Sequence, residues 1–328
     1  MKRCLLHIGV PKTGSTALQK FLAANRPALR AHGLHYPEAG LRAHGHHDIA
    51  FLVGGGYPAW ATPQDRPLDA IVRELAAELA DSAVAVLSSE NFYLQPNPRG
   101  VAEVLGQCGF GAQQVQVVVY LRRQDEAHLS WYNQAVKAQG YSGTIAESIA
   151  VTDPLWDYST QLAQWAAVYG KENVLVHAYQ PPGGPGSDIR RGFLRVAGVT
   201  ETGFEFPVET DNSRINAEIL EFQRMVNRLP LSPQQKRAAH KELMALTAAT
   251  EKMTLFDDHP LLGTEERLAI LARHAEGNAA VARTYLNRAR LFDEALPHGL
   301  PPRAGHTTLG TEKLVYILAW LMAQRPNP

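Results

Sequence analysis

Near the N-terminus an apolar run, Cys4 to Ile8, stops at Gly9. It passes through Val10-Pro11-Lys12-Thr13-Gly14-Ser15-Thr16 into a segment whose apolar residues Leu18, Phe21, Leu22 and Leu29 recur at helical spacing. A short, uninterrupted apolar run ending on glycine reads as a buried parallel strand. A strand joined by a tight loop to a helix is the unit from which α/β folds are built. The first amides of a helix have no intrahelical acceptor and lie at the positive end of its dipole, so they can hold an anion. Gly14 lets the backbone approach closely, Ser15 and Thr16 add hydroxyls, and Lys12 adds a mobile cation. An ordinary strand–turn–helix corner also uses Ser, Thr and Gly. Here a lysine, a glycine and two hydroxyls converge on one strand end, which favours an anion site. In a Walker A loop, G-x-x-x-x-G-K-[ST], Gly9 and Gly14 would have the right separation, but Ser15 stands where the lysine belongs. That displacement argues against an ATPase or an ordinary kinase.

The rest of the chain continues the alternation. Helical patterns over Leu68–Leu79, Pro98–Cys108, Gln124–Ala138 and Ser159–Tyr169 alternate with apolar runs at Val84–Leu87, Val115–Leu121 and Val174–Val176. The expected fold class is therefore α/β, a doubly wound, mostly parallel sheet with a phosphate-binding loop. Two stretches read as irregular: the long Pro/Gly/His-rich segment from His32 to Pro67 and the break from Pro181 to Gly186. Beyond about Asn212 strand signals vanish, and helices are expected near Asn216–Leu229, Pro233–Leu246 and Thr264–Ala289. The reading divides the chain into a core, 1–211, and a helical extension, 212–328, packed on it as part of one domain.

Composition restricts the partners. With 32 basic and 32 acidic side chains the formal charge is zero, so no global field recruits nucleic acid or an anionic membrane. Any anion must be held by a local arrangement. Cys4 and Cys108 are too few for a disulfide framework, lack zinc-ligand spacing and read as small core residues. The apolar run after Met1-Lys2-Arg3 is too short for a signal peptide. The most apolar later stretch, Leu314 to Met322, falls short of a membrane span. A reducing cytoplasm is the expected location, with no stable membrane insertion.

A second anion site is suggested where Val117–Leu121 runs into Arg122-Arg123 and then Gln124-Asp125-Glu126-Ala127-His128-Leu129-Ser130. An arginine at the carboxyl end of a strand points into the crevice where doubly wound folds bind ligands. Ser130, eight residues on, is about two helical turns into the next element. Alternatively, Arg122 and Arg123 pair with Asp125, Glu126 or solvent.

The two motifs together resemble those of the sulfotransferases that use 3'-phosphoadenosine 5'-phosphosulfate (PAPS), and the likeness spans Lys2 to Ala178. Their first loop reads close to P-K-[TS]-G-[TS]-T. The resemblance implies that Lys12, Thr13, Gly14, Ser15 and Thr16 grip the 5'-phosphosulfate, and that Arg122 and Ser130 hold the 3'-phosphate. It further implies release of 3'-phosphoadenosine 5'-phosphate (PAP), with no metal required. Gln124 stands where the family usually has proline, and the C-terminal Gly-rich basic loop of the cytosolic small-molecule enzymes is missing. The closer likeness is to bacterial and carbohydrate-type members, which implies a saccharide, glycolipid or small-molecule hydroxyl, or an amine, as acceptor.

Sulfuryl transfer needs in-line geometry, neutralisation of the departing phosphate and a base for the attacking hydroxyl. Lys12 would serve the second need. Two segments offer the base. His44-Gly45-His46-His47-Asp48 resembles the histidine segment of uronyl 2-O-sulfotransferases, where the second histidine is the base, which maps to His46 with His47 adjacent. Glu90, in Ser88-Ser89-Glu90-Asn91 at a strand end, is the other. His46 is narrowly favoured; a solvated histidine loop, or a Glu90 that caps a helix, are the structural alternatives. Tyr57, Trp60, Phe92 and Trp131 could stack on a sugar or belong to the core. A nucleotide kinase or GTPase, and an inactive nucleotide-binding module, remain the rival readings.

Overall fold

The structure is a computed structural model that describes residues 2–180, 187–207, 215–253, 255–257, 259–301 and 309–324. The described residues form two compact units, each drawn from three stretches of chain. The first lies within Met1–Arg123, Leu155–Val208 and His274–Asp293, the second within Gln124–Pro154, Glu209–Arg273 and Glu294–Pro328. The division expected at 211/212 falls outside the described residues, as does the Pro181–Gly186 break.

The first unit is built on a five-stranded, wholly parallel sheet: β1 (Arg3–Gly9), β2 (Leu34–His35), β3 (Val84–Ser88), β4 (Val115–Leu121) and β5 (Val174–Ala178), in the order β2-β3-β1-β4-β5. Its strands are β-branched and apolar on both faces because helices cover both. One face carries Leu5, Val86 and Val118 against Leu18, Phe21 and Leu22 of α1 (Ser15–Ala24) and Phe193 and Leu194 of a later helix, Ile189–Ala197. The opposite face takes the helix Tyr158–Tyr169, which packs on β4 and β5. Cys4 and Cys108 are free thiols buried in this unit, as expected of small core residues. Because β3 and β4 flank β1 on opposite sides, the chain reverses its winding there. The carboxyl end of β1 thus opens into the crevice of a doubly wound fold.

The differences from the sequence reading trace to specific contacts. The helix expected over Ser15–Leu29 breaks at Asn25 into α1 and α2 (Arg26–Ala31). The Asn25 side chain donates back to Phe21 O (3.0 Å), exchanges hydrogen bonds with the Glu205 backbone (2.9 and 2.8 Å), and is followed by Pro27. The supposed loop from His32 to Pro67 contains β2 and a helix, α3 (His47–Val53). β2 is two residues long and exists through its pairing with β3, which no local pattern can announce. After α4 (Leu68–Leu79), the short α5 (Asn91–Leu94) follows directly on the Glu90 turn. Then come α6 (Pro98–Gln107), α7 (Gln124–Ala138), α8 (Ile145–Thr152), α9 (Tyr158–Tyr169) and the unanticipated α10 (Ile189–Ala197), capped by Asp188, whose carboxylate accepts from Arg190 N.

The second unit is helical: α7, α8, α11 (Ala217–Val226), α12 (Pro233–Thr250), α13 (Thr264–Arg273) and, at its C-terminal end, the helix Thr311–Ala323. Tyr132 and Val136, predicted to share a face of α7, are buried there with Ile219, Leu220, Leu243, Leu246 and Ile317. Asn227, buried, donates to Val136 O near the end of α7 and to Tyr141 O just beyond it (both 2.9 Å). The helix expected over Thr264–Ala289 ends at Arg273. Beyond it α14 (Ala275–Val281) and a π-helical turn, Ala282–Leu286, belong to the first unit. The Leu314–Met322 stretch lies in α15 (Thr311–Ala323); among the described residues no helix is long and apolar enough to cross a membrane.

Candidate active site

The loop from Val10 to Gly14 is braced from within. Val10 N donates to Tyr120 O on β4 (3.0 Å), and its carbonyl accepts from the hydroxyls of Thr13 (2.7 Å) and Ser15 (3.4 Å). Two hydroxyls expected to face a ligand therefore hold the loop's shape, and Thr13 and Ser15 are buried. Thr16 is exposed on the first turn of α1, and Lys12 is half-buried. Gly14, the N-cap of α1, has φ +88°, which side chains other than glycine rarely adopt, and no side chain caps the helix. A β-carbon there would also lie 3.1 Å from Ile189 Cγ2. Gly14→Ala is accordingly expected to lower stability by about 1–3 kcal/mol. Urea unfolding of the variant against the unaltered protein checks it.

Arg122, immediately beyond β4, joins this loop: its Nη1 donates to Lys12 O (2.8 Å), and its guanidinium lies over the Tyr179 ring (5.4 Å to the centroid). Tyr158 Oη donates to the Arg122 carbonyl, fixing the backbone at the strand end. The structure thus brings the arginine just beyond β4 to the loop that follows β1. Ser130 is half-buried on α7, in the second unit, eight residues along the chain. Asp125 and Glu126, considered above as partners of the arginines, form ion pairs with Arg267 of that same unit.

The histidine segment separates into two roles. His46 is fully buried, with the Ser88 amide donating to its Nδ1 (3.1 Å) and its Nε2–H donating to Pro37 O (3.2 Å). Its own amide donates to Ser88 O (2.8 Å), so the residue clamps the segment to the end of β3. Burial pulls its pKa down to about 3. Both ring nitrogens are engaged by backbone, which leaves no lone pair for an acceptor hydroxyl. His47, by contrast, is half-buried. The Ser89 hydroxyl (2.8 Å) and the Asn91 amide (2.9 Å) both converge on its Nδ1, and Ser89 Oγ accepts in turn from Asn91 N (3.1 Å). With two donors on Nδ1, the neutral ring carries its proton on Nε2. Burial depresses the His47 pKa, while Glu90 and Asp48 draw it back up.

Glu90 occupies the N-cap position of α5 immediately beyond β3, half-buried, and its side chain makes no capping hydrogen bond. A β-carbon on Gly9, which has φ +109°, would lie 3.1 Å from Glu90 Cβ, so the carboxylate stem stands directly against the loop's first residue. Gln19, one turn into α1 and buried, donates to Glu90 Oε2 (2.9 Å). Gly45 completes the group: a β-carbon there would meet both His47 Nε2 (2.7 Å) and Gln19 Cδ (2.8 Å). Lys12, His47, Gln19 and Glu90 are thus grouped around the carboxyl end of β1. Sequence reasoning missed Gln19, Ser89 and Asn91. Gln19 could have been found, since it lies four residues after Ser15 and so on the same side of α1.

Of the aromatics considered for stacking, Phe92 is core, Trp131 is half-buried in the second unit, and Trp60 is 57% exposed. Tyr57 is half-buried against Phe51.

No protein-family model matches the chain. An uncharacterized protein of Archaeoglobus fulgidus is 27% identical over 180 residues, 54% of this chain and 47% of that protein; the match thus spans about half the length of this curated relative. Among solved structures, a sulfotransferase from Alicyclobacillus acidocaldarius aligns with a TM-score of 0.42 at 18% identity, covering 65% of this chain and 87% of that one.

Proposed function

We propose that this chain is a PAPS-dependent sulfotransferase acting on a hydroxyl or amine acceptor. The observation that carries the reading is the meeting of Lys12, Arg122 and Glu90 around one helix N-terminus, with Ser15 standing where a nucleotide kinase places its lysine. The positive end of α1 and the Lys12 ammonium neutralise charge on the 5'-phosphate. Arg122, always charged and held by the Lys12 carbonyl, supplies a fork for the 3'-phosphate. The donor contributes an electrophilic sulfuryl group that departs from a phosphate. Glu90 accepts the proton of the attacking hydroxyl, and Gln19 fixes its carboxylate. His47 presents an Nε2–H that orients the acceptor and holds a proton close to the transferring group.

Titration of the full chain with PAP and with ATP tests the donor assignment. PAP is expected to bind at least tenfold more tightly than ATP, which lacks the 3'-phosphate. Lys12→Ala and Arg122→Ala are each expected to weaken PAP binding about ten- to a hundredfold, because charge-assisted hydrogen bonds contribute roughly 1.5–3 kcal/mol. Equal affinity for ATP and PAP would remove the reason for assigning Arg122 to a 3'-phosphate.

A further inference from the structure

The segment after α3 folds back to place one large, exposed indole on Phe51, whose ring in turn stacks on His47. Phe51 follows His47 by one helical turn, and the two rings stack at 6.4 Å with a 27° interplanar angle. Tyr57 and Trp60 both rest on Phe51, at 5.5 Å each, Trp60 edge-on at 78°. Phe51 is fully buried while Trp60 remains 57% exposed, so the platform is anchored beneath and open above. On the other side of Tyr57 the Arg42 guanidinium lies 5.2 Å from the ring centroid. Arg42 is held by the buried carboxylate of Asp48 (2.8 Å) and by Thr62 O (2.8 Å). The pair is therefore close to neutral overall, yet it keeps a planar N–H donor array on a fixed stem.

We infer that Trp60, Tyr57 and Arg42 form an acceptor subsite for a neutral pyranose, whose C–H face lies on the Trp60 indole and whose ring hydroxyls meet Arg42 and His47. The inference rests on the sulfuryl-transfer reading for what happens to the bound sugar, but not for the binding itself. A rigid exposed indole suits a ligand with one apolar face and a polar edge. A long alkyl chain would call for an apolar trough, whereas this platform carries the Arg42 guanidinium against Tyr57 and the His47 ring against Phe51. An acidic sugar is disfavoured because Asp48 already occupies Arg42 and neutralises its charge.

The test uses the full chain with PAPS carrying labelled sulfate and a panel of acceptors: methyl glucopyranoside, methyl galactopyranoside, cellobiose, methyl glucuronoside, 2-naphthol and 1-decanol. Transfer to at least one neutral glycoside is expected, exceeding that to the glucuronoside. Trp60→Ala should raise its KM about ten- to a hundredfold while kcat changes little, in line with what losing one aromatic stacking partner does elsewhere. Trp60→Phe should restore most of the loss. Equilibrium dialysis of the same sugars without donor should show the same ordering. Transfer confined to the naphthol or the decanol, transfer to nothing while PAP still binds, or a Trp60→Ala protein with unchanged KM and unchanged sugar binding would each overturn the subsite. If PAP itself fails to bind, the donor reading fails, and the dialysis arm still decides whether Trp60 holds a sugar.

Discussion

Glu90→Gln is expected to lower sulfate transfer by about two to four orders of magnitude while PAP affinity stays near that of the unaltered protein. The substitution keeps the shape of the side chain and its place at the cap of α5, and removes only the ability to take a proton. His47→Ala is expected to lower turnover by a smaller factor, roughly ten- to a hundredfold, since the ring donates from Nε2 instead of acting as base. Because burial holds the His47 pKa below the usual imidazole range, its ring stays neutral to lower pH than a free histidine. Turnover should therefore show no inflection attributable to an imidazole at pH 6.5, and any loss from protonating His47 should come at lower pH. Stopped assays with labelled donor across pH 5 to 8 decide the matter. A Glu90→Gln protein that turns over normally, alongside an inactive His47→Ala protein, would transfer the role of base to the histidine.

The second large effect is on stability in acid. His7 and His46 are both fully buried, and desolvation lowers each pKa to about 3 in the folded chain. In the unfolded chain each returns to the ordinary value near 6.5. Between those values the unfolded state binds more protons than the folded state, so stability is fully present above pH 6.5 and is lost as pH falls. Two such groups give a slope approaching about 2.7 kcal/mol per pH unit, and roughly 3 kcal/mol between pH 6.5 and 5. That is a large share of a typical stability of about 5–15 kcal/mol. His35, His177 and His240, also pushed down by burial, act in the same direction. Urea midpoints measured from pH 7.5 to 5 should fall steeply, and His46→Asn should flatten the slope as well as lower the midpoint at neutral pH. An unchanged slope in that variant would mean that His46 is already protonated in the folded chain.

The positions of β1, β3 and β4, the exact span of α4 and α7, and the loop from Gly9 to Thr16 were all legible in one dimension. Buried parallel strands must be apolar on both faces, and a helix that begins at a glycine-bearing loop announces itself by residue type. Lys12, Arg122 and Glu90 followed from the same rule, because each stands just beyond the carboxyl end of a strand that the pattern located. The division of labour between His46 and His47 was not legible. The two are adjacent and chemically identical, and only the fold buries one against Pro37 and Ser88 while aiming the other at Ser89 and Asn91. The same holds for β2 and for the break at Asn25, which depend on strand β3 and on the Glu205 backbone, about fifty and 180 residues away. Residue type and spacing determined which groups could do chemistry at the end of β1. Tertiary packing, through desolvation and the saturation of lone pairs by distant backbone, decided which of them are left in a position to do it.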